Sequence, residues 1–264
     1  MPKTQVMGIV NVTSDSFSDG GRWLDVDAAV RHGAELVDAG ADMLDIGAES
    51  TRPGYQPVAP QTQLARLLPV IKGLTGAGVP LSVDTTSADV AGAVIDAGAA
   101  IINDVSGGLG DPAMLPLIAA AGVDYVCQLW TGWPSHAMDA TENWTRTRDQ
   151  LRQRADACIS AGIANNALIL DPGLGFGKAA QQNWQILANL KSFTQFGHRL
   201  LIGASRKRFL QDVTGPVPPE QRDAAGAAVA AWCAQCGIWA VRVHDPTPHV
   251  QAIAVIDQLS KEWS

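Results

Sequence analysis

The chain is poor in basic residues. Its 264 residues carry 19 Lys and Arg against 26 Asp and Glu, a formal net charge of −7. That balance excludes a surface built to neutralise a nucleic-acid backbone. Cysteine is also scarce: four in the whole chain are too few for a disulfide scaffold. No uncharged run approaches the roughly 18 apolar residues of a membrane span. The opening Met1-Pro2-Lys3-Thr4-Gln5 leads into no long apolar stretch with a small-residue cleavage site, so no signal peptide is expected. No low-complexity linker divides the chain, and Gly215–Glu220 is too short to be more than an exposed loop. A chain that is 47% hydrophobic is not disordered. What remains is a soluble, reduced, cytoplasmic α/β enzyme.

What is present is a weak repeat. An Ala-rich helical stretch ends in glycine, a short apolar run follows, and the run stops at polar residues. Ala39-Gly40 leads into Met43–Gly47, Ala97-Gly98 into Ile101–Asp104, and Ala121-Gly122 into Tyr125–Cys127. Ala161-Gly162 leads into Leu168–Asp171, and Cys236-Gly237 into Trp239–Arg242. Glycine suits the left-handed residue that ends a helix. Short, nearly continuous apolar runs suit strands buried on both faces. Val6–Val10, Pro80–Val83 and Leu200–Ile202 complete eight strands, with helical patterns such as Val26–Ala39, Thr62–Leu74 and Asn143–Ala161 between them.

Eight βα units in one chain predict a single (β/α)8 TIM barrel spanning residues 1–264, a length close to the ~250 residues of that fold. A doubly wound open sheet is the competing architecture. It usually carries a Gly-rich dinucleotide turn after the first strand, and Asn11-Val12-Thr13-Ser14-Asp15 is not one. Thr13–Trp23 and Ser50–Pro60 are long for βα loops. At an active face such loops can exclude water.

Chemistry in a βα barrel sits at the C-terminal strand ends. Those ends read Asn11, Glu49-Ser50-Thr51-Arg52, Asp84, Asn103-Asp104, Gln128, Asp171, Ser205-Arg206-Lys207 and Arg242-Val243-His244-Asp245. Asp84, Asn103 and Asp171 together suit a flat heterocycle with several N–H donors. Singly, each has a plainer explanation: Asp84 could cap a helix and Asp171 could make a turn. Ser205, Arg206, Lys207 and Arg242 follow the seventh and eighth strands, where many barrels hold a phosphate. Lys207 could also reach a ring carbonyl. Cys233-Ala234-Gln235-Cys236 lies late in an Ala-rich helix, with no second metal-spaced pair, and reads as core packing. The segment at Asn183-Trp184 reads as a helix–core contact rather than a stacking platform.

These stretches resemble one family. Met7–Gly21 resembles the opening signature of the dihydropteroate synthases, and Asp45–Gly54 resembles their second. Ser82–Thr85, Ile102–Gly107, Asp171–Lys178, Gly203–Phe209 and Arg242–Asp245 resemble the remaining motifs, in the family's order. The resemblance implies condensation of 6-hydroxymethyl-7,8-dihydropterin pyrophosphate with p-aminobenzoate, giving 7,8-dihydropteroate and pyrophosphate. It implies that Asp84, Asn103, Asp171 and Lys207 hold the pterin, with Asp84, Asp171 and Lys207 as catalytic groups. It assigns pyrophosphate to Asn11, Arg242 and His244, with Mg²⁺ near Asn11. It assigns the p-aminobenzoate pocket to Thr51, Arg52, Pro53, Phe176 and Ser205. It further implies a homodimer joined through helices opposite the active face.

The chain departs from the pattern after the fifth strand. Where the family shows Met-His, this chain has Gln128-Leu129, followed by the bulky Trp130 and Trp133. Leucine can neither donate nor accept a hydrogen bond. Leu129 motivates one alternative, a pterin-binding paralogue without catalysis; the other is a methyltransferase acting on methyltetrahydrofolate, which shares the pterin-binding barrel. The methyltransferase would need neither the anion site at Ser205-Arg206-Lys207 and Arg242/His244 nor the Thr51-Arg52-Pro53 loop.

Overall fold

Eight parallel strands form a ring in which each pairs with the next and the last closes on the first, in a computed structural model that describes residues 3–12, 22–49, 58–129 and 143–262. The strands are β1 (Gln5–Asn11), β2 (Met43–Gly47), β3 (Leu81–Asp84), β4 (Ile101–Asp104), β5 (Asp124–Gln128), β6 (Leu168–Asp171), β7 (Arg199–Ile202) and β8 (Ala240–Val243). Closure comes from β1 against β8, with Gln5 opposite Ala240 and Gly8 opposite Val243. The helices are α1 (Arg22–Asp38), α2 (Pro60–Leu74), α3 (Ala88–Asp96), α4 (Met114–Ala121), α5 (Trp144–Ser160), α6 (Ala180–Ala188), α7 (Leu190–Thr194), α8 (Gln211–Thr214), α9 (Asp223–Gln235) and α10 (Pro246–Glu262). The open-sheet alternative is thereby excluded. The two long loops of the sequence reading lie mostly outside the described residues, as do Thr51, Arg52, Pro53, Trp130 and Trp133.

The repeat glycines end helices as their spacing predicts. Gly40, Gly98, Gly122, Gly162 and Gly237 all take positive φ, between 69° and 107°. A residue with a Cβ is strained there, and glycine is not.

Strand alternation sorts the barrel into two apolar layers. Met7, Met43, Ile101, Val126, Ile169, Leu201 and Ala240 point inward and pack against one another. They plug the lower barrel, so it is a filled core rather than a pore. The outward residues, among them Val6, Leu44, Val83, Ile102, Cys127 and Leu170, pack against the helices. Each fully buried aliphatic side chain contributes about 1.5–3 kcal/mol. At the N-terminal end of the strands, Arg199 on β7 grips Asp124 on β5 with two bonds of 2.7 and 2.8 Å and lies 4.9 Å from the Trp239 ring centroid.

Alternation also decides what reaches the other end. The residue two beyond each inward apolar one also faces inward. That rule turns Asp45, Asn103, Gln128, Asp171 and Arg242 into the mouth of the barrel. The apolar plug is thus the floor of the site.

Candidate active site

Asp45 sits at the centre of the mouth. It lies mid-strand in β2 and is wholly buried. Its Oδ1 accepts a bond from the Ser82 hydroxyl at 2.6 Å. Its Oδ2 accepts from Asn103 Nδ2 at 3.0 Å and from Arg242 Nε at 2.5 Å. One carboxylate thereby sets the orientation of an amide on β4 and a guanidinium on β8. Arg242 Nη2 also donates to Asp84 Oδ2 at 3.3 Å. Asp45 belongs to the second signature, yet it is absent from the roles expected above. A carboxylate at an inward position of an otherwise apolar strand is the signal that could have revealed it.

Asp84 is not a helix cap. Ser87 takes that place: its hydroxyl accepts from Val90 N at 3.5 Å. Asp84 is left for the site. Burial pushes its carboxyl up to about 7; Arg242 opposes the shift, while Asp45, Asp104 and Glu49 add to it.

Asp171 serves both the turn and the site. Its Oδ1 accepts from Gly173 N at 2.7 Å, the turn bond foreseen for Asp171-Pro172-Gly173. A Cβ built on Gly203 would lie 4.0 Å from its Oδ2 and 3.6 Å from Lys207 Nζ, which puts both groups at the same wall of the mouth. Burial raises the Asp171 carboxyl, and Lys207 works against the rise. Lys207 is the complement. Burial lowers its ammonium to about 8, with Asp171 resisting and Arg242 assisting. Lys207 Nζ donates to the Leu174 carbonyl and stands 4.8 Å from the Phe176 ring centroid.

The anion side differs in part from expectation. Arg206 does not face the mouth. It makes a forked pair with Asp223, with Nε to Oδ1 at 2.9 Å and Nη2 to Oδ2 at 2.7 Å. Its backbone is left-handed, with φ of 60°, and Arg222 Nη1 donates to its carbonyl at 3.0 Å. These bonds hold a turn that a side chain disfavours. The segment after β7 continues as a three-residue 3-10 turn, Arg208–Leu210, rather than a full α-helix. Ser205 instead joins His244. The Ser205 hydroxyl lies 3.0 Å from His244 Nδ1 and accepts from His244 N at 3.2 Å. A residue expected at p-aminobenzoate thus touches one expected at pyrophosphate. Asp245 Oδ1 accepts from Thr247 N at 3.0 Å and starts α10.

Two acidic strand ends prove architectural. Asp104 is consumed by its own loop and by Tyr125: it accepts from Ser106 N at 2.7 Å, Ser106 Oγ at 2.6 Å, Gly108 N at 2.8 Å and Tyr125 OH at 2.7 Å. Glu49 accepts from Val58 N at 3.0 Å and Gln63 Nε2 at 3.2 Å, pinning the near end of α2. Lys178 donates to the carbonyl of Gly173 at 3.0 Å. Asn11 ends β1 opposite Gly47 and is exposed at the mouth. Leu129, where the family pattern has His, is buried in the core between barrel and helices. Cys233 and Cys236 are buried free thiols, and burial pushes both up. Trp184 packs edge-on against Phe209, centroids 5.2 Å apart, and donates to Asp212 at 2.9 Å. Both features match their expected packing roles.

Among the described residues, no group of three or more His, Cys, Asp or Glu could hold a metal ion alone. The amide oxygen of Asn11 is a hard donor at the rim. It fits an ion that takes one or two protein oxygens and completes its shell with phosphate and water.

Comparison with known proteins agrees with this geometry. Residues 7–244 match the family model described as pterin binding enzyme. The chain is 45% identical over 261 residues to a dihydropteroate synthase of Mycobacterium leprae, covering 96% of this chain and 92% of that one. A Xanthomonas albilineans dihydropteroate synthase solved with 4-aminobenzoic acid superposes with a TM-score of 0.92 at 42% identity, covering 98% and 94% of the two chains. A structure of that organism's dihydropteroate synthase in complex with 7,8-dihydropteroate superposes at 0.89 with 40% identity, over the same shares. An inward ring of Asp45, Asp84, Asn103, Asp171, Lys207 and Arg242 on a closed barrel, with relatives of one activity matching nearly end to end, leads to one conclusion: the chain belongs to the dihydropteroate synthase family, transferases of folate biosynthesis.

Proposed function

We propose that this chain joins 6-hydroxymethyl-7,8-dihydropterin pyrophosphate to p-aminobenzoate in the mouth of the barrel, with release of pyrophosphate. The observation that carries the reading is the pair of buried carboxylates Asp84 and Asp171, with the half-buried Lys207 beside Asp171 and Arg242 bonded to Asp84. Asp84, Asn103 and Asp171 offer acceptors to the N–H groups of the pterin, and Lys207 offers a donor to a ring acceptor.

The C–O bond to pyrophosphate breaks at a carbon attached to an electron-rich ring, so positive charge develops on the pterin. Asp84 and Asp171 lie where ionised carboxylates stabilise that charge in a low dielectric. The leaving pyrophosphate takes the bonding pair and is received by Arg242 and His244, with Asn11 at the rim. Asn11 would hold Mg²⁺, which when bound would offset the leaving anion's developing charge. The neutral amine of p-aminobenzoate then donates its lone pair to the carbon and loses a proton. Phe176 and Ser205 would border the path of the second substrate, and the family resemblance adds Thr51, Arg52 and Pro53 to that role.

Self-association as a homodimer is part of the same reading. Val255 and Leu259 are exposed one turn apart on α10 and offer apolar surface for it. Light scattering at micromolar protein concentration decides between one chain and two. A cytoplasmic location fits the free thiols and the lack, among the described residues, of a helix long and apolar enough to cross a membrane.

Release of pyrophosphate dependent on p-aminobenzoate tests the function. A methyltransferase releases none. A binding paralogue takes up pterin in a calorimeter and turns nothing over.

A further inference from the structure

Gln128 ends β5, next to β6, with its Cα in register with Asp171. It is two residues beyond Val126, which belongs to the inward plug, so its side chain points into the barrel on the side of the mouth. The residue is 4% exposed. Its Nε2 is buried and, among the described residues, has no hydrogen-bond partner. A buried amide N–H without an acceptor is costly. The surroundings confine it. A Cβ on Gly173 would stand 3.5 Å from Gln128 Cγ and 2.6 Å from the Leu129 carbonyl, so the Asp171–Gly173 turn packs directly on this side chain.

The neighbours facing the mouth differ in kind. Asp84 and Asp171 are acceptors. Asn103 has its Nδ2 committed to Asp45. Lys207 donates to Leu174 and lies towards β7. On the β5 side, Gln128 Nε2 is an uncommitted donor. A flat heterocycle held by carboxylates along its N–H groups still presents ring nitrogens and a carbonyl oxygen, and these need donors.

We propose that Gln128 is a specificity-determining residue for the pterin, donating from Nε2 to a ring nitrogen or carbonyl oxygen of the heterocycle. The proposal rests on the pterin assignment of the mouth and adds to it a contact that the Met of the family pattern could not make. The unmet donor of the free protein is satisfied on binding, so recognition and relief of a buried polar group coincide. A pterin analogue with an N–H at that ring position would meet a donor and be rejected.

Gln128→Met tests it, since methionine keeps length and removes the donor. Binding of 6-hydroxymethylpterin is measured by calorimetry and unfolding by thermal melting, for both proteins. The expected result is about five- to ten-fold weaker pterin binding, an unchanged KM for p-aminobenzoate, and a melting point equal to or above that of the wild type. A glutamine that merely supports the fold would lower the melting point and leave the dissociation constant alone. Pterin binding by Gln128→Met as tight as by the wild type overturns the proposal, with a trapped water then the partner of Nε2. Gln128→Leu repeats the measurement should the methionine variant fail to fold. A wild-type protein that binds no pterin overturns the pterin reading of the mouth and this proposal together, whereas equal binding by the two proteins overturns this proposal alone.

Discussion

Arg242 Nε on β8 donates to Asp45 Oδ2 on β2 across 2.5 Å, and the same Asp45 oxygen receives Asn103 from β4. Three strands of the barrel are therefore tied at one oxygen atom. Asp45 is fully buried, while Arg242 keeps about a quarter of its side chain exposed. Removing one partner of a buried pair leaves the other charge uncompensated, at a cost of about 3–5 kcal/mol. Arg242's partial exposure and its remaining bond to Asp84 put Asp45→Ala at the lower end, about 3 kcal/mol. Urea unfolding measures this, and a loss under about 1 kcal/mol contradicts it. In the folded fraction, Asp45→Asn should lower kcat by roughly ten-fold or more through misplacement of Arg242 and Asn103.

The pH profile of kcat/KM for the pterin substrate reports the free enzyme. Asp84 titrates near 7 and acts ionised, and Lys207 titrates near 8 and acts protonated. Activity should rise through about 7 and fall beyond about 8, giving a narrow bell. Lys207→Arg keeps the charge at alkaline pH, so its residual activity should lose the alkaline limb. An unmoved alkaline limb in that variant assigns the limb to another group.

Stability should carry the opposite signature. Asp84 is raised from 3.8 to about 7, so the folded protein binds that proton more tightly than the unfolded chain. The stabilisation is complete below about 4 and is lost as the pH climbs through about 7. Asp84→Asn has no proton to lose. Its stability relative to the wild type should therefore increase between pH 4 and 7, by on the order of 2–4 kcal/mol. A pH-independent difference in urea midpoint refutes the burial argument. Pterin binding should be lost in the same variant.

Gly175 has φ of 75°, and a Cβ there would stand 2.9 Å from Lys207 Cδ. Gly175→Ala should displace Lys207 from its place beside Phe176. Left-handed strain costs roughly 1–2 kcal/mol. KM for the pterin substrate should rise about ten-fold, on the scale of one lost charge-assisted hydrogen bond. Steady-state kinetics with unchanged KM would show that Lys207 adapts.

The strands were legible because each is a short apolar run that stops at a polar residue. Asp84, Asn103 and Asp171 stood out because they are those stops. Asp45 did not, because it lies inside its strand, and only ring closure brings Arg242 to it. Arg206 misleads for a related reason. Its place in a basic motif says nothing of Asp223, seventeen residues on, which turns it away from the mouth. Gln128 was visible as a strand end, but its empty donor becomes evident only when the partners of every neighbour are known. Leu129 looked like a lost polar group at the mouth; alternation buries it outside the barrel wall.

The bond between Arg242 and Asp45 spans 197 positions of the chain. No contiguous fragment short of most of the barrel can contain both ends. Until β8 seats against β1, Asp45 has no guanidinium and the mouth has no settled charge. Pterin binding is therefore expected to wait on the pairing of β8 with β1. Long-range contacts of this kind form slowly. In a refolding experiment, the return of pterin binding should lag behind the return of helical signal and coincide with the final closing step.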